Sequence, residues 1–125
     1  MNTNDYLFKK FIIPNVYSHH YINNILLTLD IENNLRAFNI SNNNIFWKIN
    51  LSDYISKENN IIEIVNNESN LVIFFKNGLI LEINYLTGEI INDIDLNINH
   101  INKIDFYNQY LIVYQNNGKF SIFIQ

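Results

Sequence analysis

The stretch that decides the fold is Leu71–Leu96, which reads LVIFFKNGLILEINYLTGEIINDIDL. It begins with an apolar run rich in strand-forming residues, Leu71–Lys76, and continues into Asn77-Gly78. That dipeptide favours a type I′ hairpin turn, because both of its residues tolerate a positive φ. A returning strand, Leu79–Asn84, leads through a second tight turn into Ile90–Leu96, whose side chains alternate between two faces. The stretch therefore predicts three consecutive antiparallel β-strands.

Two other stretches of the chain repeat this unit. Ile25–Leu51 aligns at an offset of 45 residues, provided that one residue of slack is allowed in its middle strand. Tyr110–Gln125 aligns at an offset of 40 residues, with Gly118 in the place of Gly78. A period of this length with several short strands in each repeat is typical of β-propeller blades, including WD-type repeats.

A short segment precedes each unit and is interpreted as the first strand of a four-stranded blade. These segments are Phe11–Val16, Ile61–Val65 and Ile101–Phe106. We therefore predict an all-β chain that forms a partial β-propeller of about 2.75 four-stranded antiparallel blades. The blades span about residues 11–51, 61–96 and 101–125, and the third lacks its fourth strand. Residues 1–10 are predicted to form a linker or arm.

The composition suits many short strands joined by polar turns. Of the 125 residues, 26 are Asn, which favours turns, and 24 are Ile, which favours strands. An AT-rich genome would produce the same bias on any fold, so both explanations stay open. The net charge is −4 and only eight residues are basic, which argues against a nucleic-acid-binding surface.

The sequence also excludes several classes of protein and site. It contains no run of eighteen apolar residues, so no transmembrane helix is expected. The first ten residues lack a basic head followed by an apolar core, so no secretory signal is expected. The absence of Cys excludes disulfides, thiolate metal sites and a Cys nucleophile.

No motif for catalysis is present. The chain has no Gly-rich phosphate loop, no G-x-S-x-G, no H-E-x-x-H and no calcium loop. Its carboxylates are scattered, with no His placed to work with them. We therefore expect no enzyme activity and assign no catalytic, cofactor-binding or metal-binding residue.

Four candidate residues have a structural interpretation. His19 and His20 lie in a predicted polar connection, Tyr17–Tyr21; neighbours in an extended chain point to opposite faces, which disfavours a shared metal ion. His100 is interpreted as a loop residue. Trp47, the single Trp, lies in the outer strand of the first blade and is predicted to pack between adjacent blades. Stacking on a ligand is the alternative role for Trp47.

The longest polar connection, Ser52–Asn60, is the predicted link between the first two blades. It has charges of both signs and suits a helical turn at Asp53–Lys57. Loops in this position often have a binding function. Asp93 and Asp95 share one face of an outer strand, where exposed charge opposes pairing between sheet edges.

The units resemble the repeat of pyrroloquinoline-quinone-type propellers. The residues that carry the resemblance are Asn34–Asn39 with Ile45–Lys48, and Asn77–Leu79 with Thr87–Ile90. The ending, Asn117–Ile122, resembles the last strand pair of the BamB family of outer-membrane assembly factors, whose propeller also stops after the third strand of its final blade. The sequence departs from the repeat at Asn92, where a Trp is usual, and at Asn42-Asn43, where Thr-Gly is usual.

This resemblance implies a non-catalytic protein-interaction scaffold that corresponds to the C-terminal part of such a propeller. The implied partners are a separate chain that supplies the other blades, or the outer-membrane assembly machinery, and the implied location is the periplasmic face of the outer membrane. The lipidated Cys of that family is absent. No functional residue is carried over, since most of the family's binding surface lies in other blades.

Other functions stay open from the sequence. One is a quinoprotein dehydrogenase-like fragment, whose cofactor needs a central pocket, calcium ligands and stacking aromatic residues from many blades. Others are a sensor or kelch-like binding module and a decayed gene fragment without retained function. Fewer than four blades cannot close a ring, so the sequence predicts open sheet faces and an unpaired edge at Lys119–Gln125. We expect self-association, or pairing with a separate chain.

Overall fold

The computed structural model describes residues 12–13 and 15–124, a part that contains eleven β-strands and no helix. The strands form three antiparallel sheets, and in each sheet consecutive strands are neighbours. Blade one contains β1 (Val16–Ile22), β2 (Ile25–Asp30), β3 (Asn34–Asn39) and β4 (Asn44–Asn50). Blade two contains β5 (Ile61–Asn67), β6 (Asn70–Phe75), β7 (Leu79–Asn84) and β8 (Ile90–Asp95). Blade three contains β9 (Ile101–Tyr107), β10 (Tyr110–Gln115) and β11 (Phe120–Ile124).

The predicted all-β class is therefore confirmed. In the part of the chain described here, no segment forms a helix long and apolar enough to cross a membrane.

The repeat is more regular than the sequence alignment suggested. The turn between the second and third strands of each blade closes on one backbone hydrogen bond, donated by the N–H of Asn33, Gly78 or Gly118 to the carbonyl three residues before it. All three residues have positive φ values, between 68° and 90°. Asn33 thus takes the glycine position in blade one, and the 45-residue offset runs through the middle strand without a gap. The one-residue adjustment that we expected in the middle strand of this alignment is therefore wrong.

The predicted type I′ turn at Asn77-Gly78 is also wrong. Three residues connect β6 to β7, and of the dipeptide only Gly78 has a positive φ, of 90°. The Asn77 side chain instead accepts a hydrogen bond of 3.0 Å from the Leu79 N–H, which favours a three-residue loop. A two-residue connection with positive φ at both positions occurs at Asn23-Asn24, between β1 and β2.

The first strand of blade one lies later in the chain than predicted. Phe11–Val16 was expected to be this strand and Tyr17–Tyr21 a connection, but β1 spans Val16–Ile22. Its side chains are mostly exposed, so pairing with β2 defines this strand rather than apolar composition. The offset of 45 residues from β5 indicates the same position. Phe11, Pro14 and the predicted arm at residues 1–10 lie outside the described residues.

The core consists of two apolar layers, one on each face of blade two. Alternate residues of β6 point in opposite directions: Ile73 and Phe75 pack towards blade one, whereas Phe74 packs towards blade three. The first strand of blade two, β5, contacts both β1 and β9. The three sheets are therefore stacked as successive blades with their first strands adjacent.

The connection Ser52–Asn60 contains a turn but no helix. The Leu51 carbonyl accepts hydrogen bonds from the N–H groups of Tyr54 and Ile55, and Ser56 then pairs with Asn59. The helical turn predicted at Asp53–Lys57 is replaced by this earlier turn. Tyr54 and Ile55 pack against the core between blades one and two, which fixes the connection to both.

Candidate interaction site

Trp47 joins blade one to blade two. Its side chain is 6% exposed, and its Nε1 donates a hydrogen bond of 2.8 Å to the carbonyl oxygen of Tyr85 in the β7–β8 turn. The indole ring lies so close to Gly88 that a Cβ there would be 2.7 Å from two ring atoms. Ala37, the cross-strand partner of Trp47, is small enough to leave room for the ring. The predicted packing of Trp47 between blades is confirmed.

The contact between blades two and three lacks this arrangement. At the repeat-equivalent positions, Asn92 replaces Trp47 and Glu82 replaces Ala37, again as a cross-strand pair. A cleft of about 470 Å³ lies there, which we call the Asn92 cleft. Its apolar wall includes Phe74 and Phe106, whose rings meet edge to face with centroids 5.5 Å apart. The remaining lining residues are Val65, Asn66, Asn67, Val72, Ile80, Ile94 and Leu111.

Blade three presents a largely apolar face on the side away from blade two, where Lys103 and Asp105 of β9 also form an exposed ion pair. We call it the outer face of blade three and define it by Ile112, Tyr114, Phe120, Ile122 and Ile124. Phe120, Ile122 and Ile124 are 61%, 55% and 71% exposed. In the sheet order of the described residues, β11 is an edge strand that pairs with β10 alone. Within residues 12–13 and 15–124, no other strand covers this face or pairs with this edge.

Comparison with blade two shows what such a face normally does in this chain. The residues of blade two at the positions of Tyr114 and Phe120 are Phe74 and Ile80, which are buried against blade three. The outer face of blade three thus repeats, with exposed residues, a surface that elsewhere in the molecule receives the next blade.

The corresponding face at the other end of the stack contains a largely buried ion pair, next to Phe38 and Ile45. In blade one, Asp30 and Arg36 form an ion pair at the positions that Phe75 and Leu81 occupy in blade two. Asp30 also accepts hydrogen bonds from Asn34 and from the Glu32 N–H. Burial alone would raise the pKa of Asp30, but the hydrogen bonds from Arg36, Asn34 and Glu32 outweigh it and lower the pKa to about 2. This end is therefore poorly suited to receive an apolar blade.

The two adjacent histidines line a different cavity, of about 720 Å³, between β1 and the connection Ser52–Asn60. His19 is exposed and His20 is half-buried. Burial lowers the pKa of His20, partly opposed by Glu63 and assisted by His19. Among residues 12–13 and 15–124, no group of three or more metal-ligating side chains comes together.

The remaining predicted candidates have the local roles expected of them. Asp93 and Asp95 are exposed on β8, an edge strand, and Asp95 accepts a hydrogen bond from the Asn97 N–H. His100 lies in the connection before β9, and its carbonyl accepts a hydrogen bond from the Asn116 N–H.

Sequence reasoning predicted an open sheet face and an edge at Lys119–Gln125, where the structure has the edge strand β11, but it missed the Asn92 cleft. The signal for the cleft was present: the replacement of Trp by Asn at position 92 was noted, but not the paired change from Ala37 to Glu82.

Comparisons with known proteins support the fold and do not assign a family. The sequence matches no protein-family model, and no curated protein is significantly similar to it. Among solved structures, BamB from Moraxella catarrhalis aligns with a TM-score of 0.60 at 13% identity, over 86% of this chain and 30% of that one. The C-terminal WD40 domain of Sif2 aligns with a TM-score of 0.55 at 12% identity, over 81% of this chain and 30% of that one.

The computationally designed Ika4 protein aligns with a TM-score of 0.60 at 16% identity, over 87% of this chain and 65% of that one. The chain thus spans about two thirds of Ika4 and less than a third of BamB. At these identities the likeness concerns the backbone alone. Together with the three stacked antiparallel sheets, it shows that the chain has the fold of a partial β-propeller.

Proposed function

We propose that this chain is a non-catalytic protein-interaction scaffold that binds other β-structure through blade three. The single observation that carries the proposal is the exposed outer face of blade three, next to β11, which has no second strand neighbour among the described residues. Three neighbouring side chains of β11 are more than half exposed, although Phe and Ile are strongly favoured inside proteins. An edge strand beside such a face is a template for pairing with another strand.

The two ends of the stack favour a partner from outside these 125 residues over a simple closed ring of copies. Head-to-tail association would place the outer face of blade three against the Asp30–Arg36 pair of blade one. Burying that pair further against Phe120, Ile122 and Ile124 would cost desolvation energy. The favoured partner is therefore a further blade with an apolar face of its own.

Association of the isolated chain tests this proposal, because an exposed apolar face should self-associate when its normal partner is missing. We expect light scattering after size exclusion to give a mass above the 14.9 kDa monomer, with a strand-rich circular dichroism spectrum. Ile122→Lys/Ile124→Lys places two charges on the outer face and should return the mass to that of a monomer. Ile45→Lys, on the exposed edge strand β4 of blade one, is the matched control and should leave association unchanged. A parent chain that is folded and monomeric at every concentration would overturn the proposal.

The finer role, in outer-membrane protein assembly, is supported by the resemblance of the repeats to the BamB family and by the likeness of the backbone to BamB. Saturable binding of the chain to a purified outer-membrane assembly complex, weakened by Ile122→Lys/Ile124→Lys, is the expected result. Absence of binding would remove this role and leave the general scaffold proposal to the association experiment.

A further inference from the structure

The Asn92 cleft occupies the position that an indole ring fills one blade earlier. The pairs Ala37–Trp47 and Glu82–Asn92 lie at the same place in two successive sheets, 45 residues apart. In the first pair the Trp47 ring closes the space between the blades. In the second pair neither side chain is aromatic, and the space remains as a cleft of about 470 Å³, within the usual range of ligand sites.

The walls of the cleft suit a flat aromatic group. Val72, Ile80, Ile94 and Leu111 provide apolar contacts, and Phe74 and Phe106 provide ring faces and edges. Phe106 is 46% exposed, so its ring is accessible to an incoming group. Aromatic pairs in offset or edge-to-face contact are more favourable than their buried area alone suggests.

The polar groups of the cleft favour a ligand that donates a hydrogen bond and disfavour an anionic ligand. Glu82 is one of its lining residues, and one of its carboxylate oxygens accepts a hydrogen bond of 3.0 Å from Asn70. The amides of Asn66, Asn67 and Asn92 lie around the same opening, and among the described residues no basic side chain lines it. A carboxylate accepts hydrogen bonds and attracts the N–H of an indole.

We propose that the Asn92 cleft binds the side chain of a tryptophan presented by a protein partner. The occupant is inferred from the molecule itself, since the equivalent position between blades one and two already holds an indole. The chain has a single Trp, and Trp47 is used in that first contact. The indole for the second contact therefore comes from another molecule. That this molecule is a protein rests on the proposed scaffold function.

The test is a titration of the full chain with N-acetyltryptophanamide, a probe that carries an indole side chain. Binding is followed through the methyl resonances of the cleft residues in NMR spectra. We expect saturable shifts at Val72, Ile80, Ile94 and Leu111, with a Kd of about 1 mM or tighter for this small probe. N-acetylleucinamide should produce much smaller shifts, because it lacks the ring and its N–H donor. Indole-3-acetate should bind at least several-fold more weakly than N-acetyltryptophanamide, because its carboxylate meets Glu82.

A variant that builds the indole into the chain provides the decisive control. Glu82→Ala/Asn92→Trp copies the Ala37–Trp47 pair and should abolish the shifts by filling the cleft. Asp93→Trp adds the same ring to the neighbouring position of β8, whose side chain points to the opposite face, and should leave probe binding intact. Dispersed methyl spectra of both variants verify that they fold.

Absence of saturable shifts in the parent chain would overturn the proposal, as would equal binding to the filled-cleft variant. Failure here is distinguishable from failure of the scaffold proposal, since Ile122→Lys/Ile124→Lys removes association without touching the cleft. Binding of the probe to a chain that does not associate would support the proposal for the cleft and refute the scaffold proposal.

Discussion

The Nε1 of Trp47 donates a hydrogen bond of 2.8 Å to the carbonyl oxygen of Tyr85, which links blade one to blade two across 38 residues of sequence. The hydroxyl of Tyr85 in turn donates a hydrogen bond of 2.8 Å to the carbonyl oxygen of Asn23, back in blade one. The two contacts run in opposite directions between the same blades, so they fix their relative position. Substitutions at this junction therefore test what stabilises the stack of blades.

Replacing Trp47 with Ala should destabilise the chain by about 3 kcal/mol, because it removes a buried ring and leaves a cavity between blades. It also leaves the Tyr85 carbonyl without its indole donor. Urea unfolding followed by circular dichroism measures the change. Trp47→Phe should restore part of the loss, since the ring returns without the N–H. Equal stability of the Ala variant and the parent would contradict the assigned role of Trp47.

Gly88→Ala should destabilise the chain more than Gly118→Ala does. Both glycines have positive φ values, 76° and 84°, so both substitutions cost about 1 kcal/mol of backbone strain. Only at Gly88 does the added methyl meet the Trp47 ring, at 2.7 Å, whereas nothing lies within 4 Å of the same atom at Gly118. The difference between their free energies of unfolding isolates the ring contact. Similar losses at the two sites would show that the turn, not the ring, requires glycine at position 88.

Asp30→Asn should destabilise the chain by about 2 kcal/mol at neutral pH, because Arg36 loses its charged partner in a poorly exposed site. The pKa of Asp30 is lowered from 3.8 to about 2 in the folded chain. Its stabilising contribution is therefore complete above pH 3.8 and is lost as the pH falls towards 2. The gap between parent and variant in urea unfolding should narrow over that range. Asp93→Asn, at an exposed position, should stay within about 0.5 kcal/mol of the parent.

The stability of the chain should also fall as the pH drops below 6.5, and His20 should account for part of this. Burial lowers the pKa of His20 from 6.5 in the folded chain, so the unfolded chain binds its proton more readily. The contribution of His20 to stability is therefore complete above pH 6.5, and it decreases as the pH falls from 6.5 towards the lowered pKa. His20→Gln should flatten this part of the curve of melting temperature against pH. An unchanged slope in the His20 variant would contradict the prediction.

Much of the fold is readable from local sequence. The strands of blade two follow from the apolar run before Asn77, the alternation after Ile90, and the turn glycines, because strand and turn preferences depend on nearest neighbours. The first strand of blade one could not be found in this way. Its segment, Val16–Ile22, is polar and exposed, and it becomes a strand because β2 provides hydrogen-bond partners.

The candidate sites were only partly predictable, since they depend on contacts between blades, such as Trp47–Tyr85 and Phe74–Phe106, that local sequence does not specify. Trp47 was correctly placed between blades, but its partners Tyr85 and Gly88 were not foreseen. The Asn92 cleft required knowing that Glu82 is the cross-strand neighbour of Asn92, which is a matter of register.

The sequence by itself determined the repeat, the all-β class and most turns, because side-chain alternation and turn chemistry act over a few residues. The tertiary structure decided which surfaces are filled and which are open. The repeats become unequal once they are stacked: one end contains the Asp30–Arg36 ion pair, whereas Phe120, Ile122 and Ile124 are exposed at the other. The physical reason is that burial requires two faces in contact, so a face of a blade is buried only where another blade lies against it.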